Sequence, residues 1–229
     1  MTVYSYSGKG NRETNEDYIR SVQFENNTSL HIVADGMGGY LYGEIAAQVA
    51  TDAIVQYISE RHSDGNITST IQQAIEFANE EIALKRKVLH AKLGTTVAGI
   101  FIRESVAYAF WIGDVQIQHF RDNKQLFISE SHSLINEMKG NGVVSAKDIE
   151  RYKNIVTKSL SGTLLEESIQ IIEIQLQQGD IICISSDGLY NSINPARLIT
   201  NSDIELDAKL QDLDENNVDN ISITIITNY

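Results

Sequence analysis

Cysteine and proline are almost absent from this chain of 229 residues: there is one of each, Cys183 and Pro195. A single cysteine excludes an intramolecular disulfide framework and suits a reducing setting. Cys183 stands in the apolar run Asp180-Ile-Ile-Cys-Ile184, where a thiol is a small core side chain rather than a nucleophile. No arginine-bearing phosphate loop follows it. With one proline and no Gly/Ser-rich or Pro-rich tract, nothing reads as a linker, and no internal repeat or low-complexity segment is found. Long apolar runs are missing too; none approaches the roughly 20 residues of a membrane span. The opening Met1-Thr-Val-Tyr-Ser-Tyr lacks the basic and then apolar pattern of a secretory leader. Positive charge is scarce, with 18 Lys and Arg against 31 Asp and Glu and a net charge of −13. Binders of nucleic acid and of acidic membranes depend on Lys and Arg, so neither partner is expected. The expectation is one continuous domain, 1–229, acting in the cytoplasm as a monomer.

What is present suits a buried core, with 42% hydrophobic and 21% charged residues. Strand-like runs fall at Val3–Ser7, Tyr18–Phe24 and Ser29–Ala34. Two amphipathic helices follow, Tyr42–Arg61 and Thr68–His90, each with apolar residues at i, i+4 spacing. Thr68 or Ser69 is the expected cap of the second. Its Glu80-Glu81 and Lys85-Arg86-Lys87 read as a solvated face with i, i+4 ion pairs. Thr95–Ile102 and Ser105–Ile112 are joined by so short a junction that they predict an antiparallel hairpin, as do Val115–Phe120 and Gln125–Ser129. A polar segment at about 131–162 reads as two short helices, Leu134–Lys139 and Ser145–Tyr152. Strands return at Ile169–Leu176, Asp180–Ser185 and Ile221–Thr227, with a helix near Ile204–Leu213. Hairpins and consecutive helices oppose an alternating parallel sheet. Packed antiparallel sheets with helices on their outer faces satisfy every apolar face, an α+β class.

Five carboxylates, Glu16, Asp35, Asp114, Asp187 and Asp219, stand where a phosphate-cleaving metal site would need them. Four of them adjoin an apolar strand-like run, so a rigid sheet would hold each at the edge of a cleft. Hard divalent cations take oxygen ligands, and a pair of them roughly 3.5–4 Å apart suits displacement at phosphorus. Singly, Asp35-Gly36, Asp114 and Asp187-Gly188 are better explained by turns at strand ends. Their joint occurrence in one order is the stronger signal.

That order resembles the metal-dependent PPM-type serine/threonine phosphatases, the protein phosphatase 2C-like family. The matching pieces are Arg12-x-x-Asn15-Glu16-Asp17, Asp35-Gly-Met-Gly-Gly39, Gly94-Thr95-Thr96, Gly113-Asp114, Ser186-Asp187-Gly188 and Asp219-Asn220. Ser131-His132-Ser133 and Leu160-Ser-Gly162 are weaker landmarks. The resemblance spans nearly the whole chain, and the Gly-Met-Gly-Gly form looks like the bacterial branch. It implies a four-layer sandwich of two antiparallel sheets flanked by helix pairs. It also implies Mn²⁺ or Mg²⁺, with Asp35 bridging two ions, the Gly36 carbonyl completing one shell, and Asp187 and Asp219 binding the other ion. Glu16 would hold a metal's water, Arg12 the substrate phosphate, and Asp114 with Asp187 a third, weaker ion. The implied activity is hydrolysis of phosphoserine and phosphothreonine in proteins by a water activated at the metal pair, opposing a cognate serine/threonine kinase. Segment 131–162 corresponds to the family's variable flap.

Three departures stand out. Met37 occupies a position where many relatives carry histidine, so that proton donor is missing. Val115-Gln116 follows Asp114, and Ser131 replaces an acidic residue. None removes an implied ligand. A pseudophosphatase that only binds a partner is the second reading, and the retained ligand set opposes it. A hydrolase of small phosphate esters is the third.

Overall fold

The computed structural model describes residues 1–37, 42–63, 65–142, 144–152, 155–165 and 167–228, with the Asn141 side chain left aside. Gly38 and Gly39 of the glycine motif, and Val143, Lys153 and Asn154 of the flap-like segment, lie outside the described residues. Among the described residues ten strands form two five-stranded sheets. One sheet holds β2 (Asp17–Gln23), β3 (Thr28–Gly36), β4 (Thr95–Arg103), β5 (Val106–Ile112) and β8 (Gln170–Gln175), in that spatial order. The other runs β1 (Thr2–Gly8), β10 (Ile221–Thr227), β9 (Ile181–Ser185), β6 (Gln116–Arg121) and β7 (Lys124–Ile128). Every pairing is antiparallel.

The side chains explain the layers. Along β3, Leu30, Ile32 and Ala34 pack outward against α1 (Gly43–Ser59) and α2 (Ile67–Leu89). Val33 faces the other way, joining Ala98, Ile100 and Ala109 opposite Ile117, Ile182 and Ile184 between the sheets. Cys183, Ile221, Ile223 and Ile225 leave the far side of the second sheet and meet Leu189, Leu206 and Leu210. Those leucines come from α5 (Asp187–Ser192) and α6 (Asp203–Asn216). Strand side chains alternate between faces, so each central strand feeds two of the three apolar layers. The four-layer expectation holds. Between β7 and β8 lie two short helices, α3 (Leu134–Asn141) and α4 (Ala146–Tyr152). Among the described residues no helix is long and apolar enough to cross a membrane.

Several local expectations change. Asn66, not Thr68 or Ser69, caps α2, its side chain accepting from the Ser69 N–H. No Glu80 or Glu81 carboxylate pairs with Lys85 among the described residues; Arg86 instead donates to the Ser161 carbonyl. The short helix α5 was not expected, because six residues are too few to show a helical period. Asp122 and Asn123 take positive φ of 51° and 59°, the left-handed pair that a two-residue hairpin turn requires.

Candidate active site

The register of β2 and β3 sets Asp17 directly opposite Asp35, and β4 sets Thr96 on Asp35's other side. Asp17 has the parity of Ile19, and Asp35 that of Val33, so both carboxylates turn into the space between the sheets at its open end. From the second sheet come Asp187, just past β9, and Asp219, just before β10. Asp114 follows β5 and Glu16 precedes β2. Residues up to 203 positions apart in sequence thus meet at one mouth. Asp17 is buried, while Glu16, Asp35, Asp114, Asp187 and Asp219 keep part of their surface open.

Hydrogen bonds lock this mouth. Asn220 is a hub: its amide nitrogen donates to the carbonyls of Lys9 (2.7 Å) and Thr14 (3.0 Å), and its amide oxygen accepts from the Glu16 N–H at 2.8 Å. It therefore ties the loop bearing Arg12 and Glu16 to β10. The Thr95 hydroxyl donates to the Asp35 carbonyl at 2.8 Å, and the Thr96 hydroxyl reaches the same carbonyl at 3.4 Å. Tyr190 donates to the Asp114 carbonyl at 3.0 Å. His132 Nδ1 accepts the Gly113 N–H at 3.0 Å, which gives the Ser-His-Ser landmark a positioning role beside Asp114. Two glycines are needed for close approach. A Cβ at Gly36 would lie 2.3 Å from the Gly43 carbonyl oxygen, and one at Gly188 would lie 2.0 Å from that of Asn220.

Because Asn220 is buried and satisfies three backbone groups, its truncation strands all three. Asn220→Ala is expected to destabilise the protein by roughly 2–4 kcal/mol. Denaturant unfolding checks this, and an unchanged midpoint would make the hub dispensable.

Electrostatically the mouth is over-supplied with negative charge. Burial, then the neighbouring aspartates, pushes the Asp35 carboxyl well above the usual range. Burial lifts Asp17 to about 7, against the hydrogen bonds from Ser186 and Ser222. Asp114 is also lifted to about 7, by burial and by Asp187. Asp187 rises through burial and Asp219, and Glu16 through burial and Glu44. One described cation answers them: the Arg12 guanidinium, 2.9 Å from the Asp219 carboxylate.

These residues fit divalent cations. Asp17 Oδ1 is buried with no hydrogen-bond partner, and the Asp35 carboxylate faces the charges of Asp17, Asp187, Asp114 and Asp219. Such a set of oxygens is unfavourable without positive charge. Among the described residues no three acidic side chains converge on one point as they stand. The fit therefore rests on shared charge and on the oxygen-only donor set, and carboxyls would turn toward a shared ion. Asp17 was missing from the sequence-derived ligand set, because the strand was expected to begin one residue later, at Tyr18.

The fold and this acidic mouth define a class, and comparison with known proteins agrees. The model of the family described as protein phosphatase 2C matches residues 6–218. The chain belongs to that family. A putative protein phosphatase 2C-type of Streptococcus pyogenes is 29% identical, covering 95% of this chain and 93% of that protein. The protein phosphatase PhpP of Streptococcus pneumoniae is also 29% identical, over 94% of this chain and 92% of its own. The S. agalactiae serine/threonine phosphatase superimposes with a TM-score of 0.83 at 26% identity, covering 100% of this chain and 99% of that one. The catalytic domain of PstP, solved with two manganese ions, has the same fold (TM-score 0.80, 20% identity, 98% of this chain and 96% of that one).

Proposed function

We propose that this chain hydrolyses phosphoserine and phosphothreonine in proteins at a divalent-metal site built on Asp35, Asp187, Asp219 and the Gly36 carbonyl. Glu16 and the buried Asp17 flank it. The observation that carries the reading is the concentration of carboxylates at the sheet ends, answered by Arg12 alone among the described cations. When bound, Mn²⁺ or Mg²⁺ supplies activation of the attacking water and neutralises charge on the phosphoryl group. The protein's own part is to hold its oxygens on rigid strand ends, to orient the phosphate, and to leave one side of the mouth open. No described histidine stands among the carboxylates, and His132 is engaged with Gly113. The departing serine or threonine oxygen is therefore protonated by water rather than by an imidazole. A cognate serine/threonine kinase would make the phosphoproteins consumed here. Assay of a phosphothreonine peptide with and without Mn²⁺ tests the reading; no metal-dependent release of phosphate would reject it.

Arg12 is assigned to the phosphate. Its fork of donors suits two phosphate oxygens, and its present partner Asp219 is an assigned metal ligand. With metal saturating, Arg12→Ala is expected to lower kcat/KM by about 10-fold or more, mostly through KM. Its ion pair is exposed, so stability should hardly change. Unchanged steady-state kinetics would return Arg12 to the surface.

Asp114, with Asp187, is assigned to a further, more labile ion. Asp114→Ala should keep the fold and the inner metals yet lower turnover. Equal kcat in that variant, with metal content measured on the same sample, would reassign Asp114 to a turn.

A further inference from the structure

The C-terminal end of α2 is unlike the rest of this acidic protein. From Ile82 to Arg103 there is no aspartate or glutamate, while Lys85, Arg86, Lys87 and Lys92 crowd into eight positions. An open cavity of about 450 Å³ lies there, lined by Ala83, Arg86, Lys87, His90, Lys92 and Gly162. No described carboxylate pairs with Lys87 or Lys92. Basic residues in a last helical turn complement the helix dipole, but Lys92 lies beyond the end of α2, after His90 closes the helix with a φ of 50°. The wall is firm: Arg86 donates to the Ser161 carbonyl, and Gly162, with a φ of 70°, lies so close to Ala83 that a Cβ would be 2.6 Å from its Cα.

The cavity adjoins the catalytic mouth. Leu160 and Thr95 exchange both backbone hydrogen bonds at 2.9 Å, the Gly94 carbonyl accepts the Met37 N–H, and the Thr95 hydroxyl holds the Asp35 carbonyl. Lys92 precedes Thr95 by three positions, roughly 11 Å at most, and Thr95 neighbours Thr96, the strand partner of Asp35, so Lys92 lies within roughly 17 Å of Asp35. That distance is about four or five residues of extended peptide.

We infer that this cavity docks an acidic stretch of the phosphoprotein substrate, about four or five residues from the phosphorylated side chain. The inference rests on the phosphatase reading above and adds a substrate class to it. Charge complementarity selects the occupant: on a protein of net charge −13, a cluster of four basic residues without a carboxylate among them favours an acidic segment. The patch lies at peptide reach of the metal site, so the docked segment and the reacting phosphate belong to one chain. Exposed lysines at its rim contribute mainly to selection among substrates and to encounter rate, and raised salt would weaken them.

The test compares wild type with the double variant Lys87→Glu/Lys92→Glu, both with Mn²⁺. The substrates are an aryl phosphate and two phosphothreonine peptides, one with Asp and Glu about three to six residues from the phosphothreonine, the other with Ala there. The expected result is about a 10-fold preference of wild type, in kcat/KM, for the acidic peptide. The variant should lose that preference while its aryl phosphate turnover stays unchanged, which also certifies its fold. A variant that retains the preference, or a wild type that cleaves both peptides alike, would overturn the docking surface. A wild type inactive on all three substrates would instead reject the phosphatase reading. Fluorescence anisotropy of the labelled, unphosphorylated acidic peptide then decides the surface by itself: binding about 10-fold weaker in the variant supports it, and equal binding overturns it.

Discussion

Asp35→Asn, or withdrawal of divalent metal by a chelator, is expected to lower turnover of a phosphothreonine peptide by more than about 100-fold. Loss of a group that merely supports a metal ligand costs roughly 10–100-fold, and Asp35 is assigned as the bridging ligand itself. Asparagine keeps the shape of the side chain and removes its charge. That charge is opposed by Asp17 across the strand pair and by Asp187, Asp114 and Asp219 around it. The metal-free variant should therefore melt no lower than metal-free wild type, which separates a chemical loss from a folding one. Asp187→Asn should behave alike. Full activity in excess chelator would end the metal reading.

The metal-free protein should also lose stability as pH rises from about 5 to 8. Asp17 and Asp114 hold their protons to about pH 7 when folded, against an ordinary 3.8. Between those values the folded state binds more protons than the unfolded one, so stability falls as pH rises through the window. This contribution is complete below about pH 4 and gone above about 7. Two buried residues in other places act differently. Burial holds His31 down to about 4, so its contribution grows as pH rises toward 6.5 and partly opposes the carboxylates. Asp180 sits at about 2, where hydrogen bonds from Arg121, Gln177 and His119 outweigh burial; its contribution is present above 3.8 and is silent in this range. The net loss is on the order of 2–3 kcal/mol, or roughly 5–10 °C in Tm. Thermal unfolding in chelator at pH 5.5 and pH 8 measures it. Added Mn²⁺ should reverse the order, since binding needs the carboxylates deprotonated. A chelated protein that melts higher at pH 8 would mean the carboxylates are not crowded as described.

Most of this architecture was legible because its strands are long, apolar and joined by short turns. Hairpins such as β4–β5 announce their pairing through two or three turn residues, and α1 and α2 show their buried faces at i, i+4 spacing. The carboxylates that gather at the mouth were legible as motifs at strand ends. What sequence could not supply was register: that Asp17 faces Asp35 follows from pairing between strands, not from either strand alone. The Asn220 hub was likewise visible only as the neighbour of Asp219, since its three partners lie more than 200 positions away. Helix α5 was hidden by its brevity, and the basic end of α2 was misread because i, i+4 spacing permits an ion pair without compelling one.

The place of β10 in its sheet has a consequence for synthesis. It lies between β1 and β9, so the oldest strand of the nascent chain waits for the youngest before either edge of that gap can close. A chain interrupted before Asp219 would carry every strand of the β2–β8 sheet and both long helices, yet neither the Asn220 clamp nor the Asp219 carboxylate. Folding of the first sheet and assembly of the acidic mouth are thus separable in time: the mouth waits for the segment that carries Asp219, Asn220 and β10.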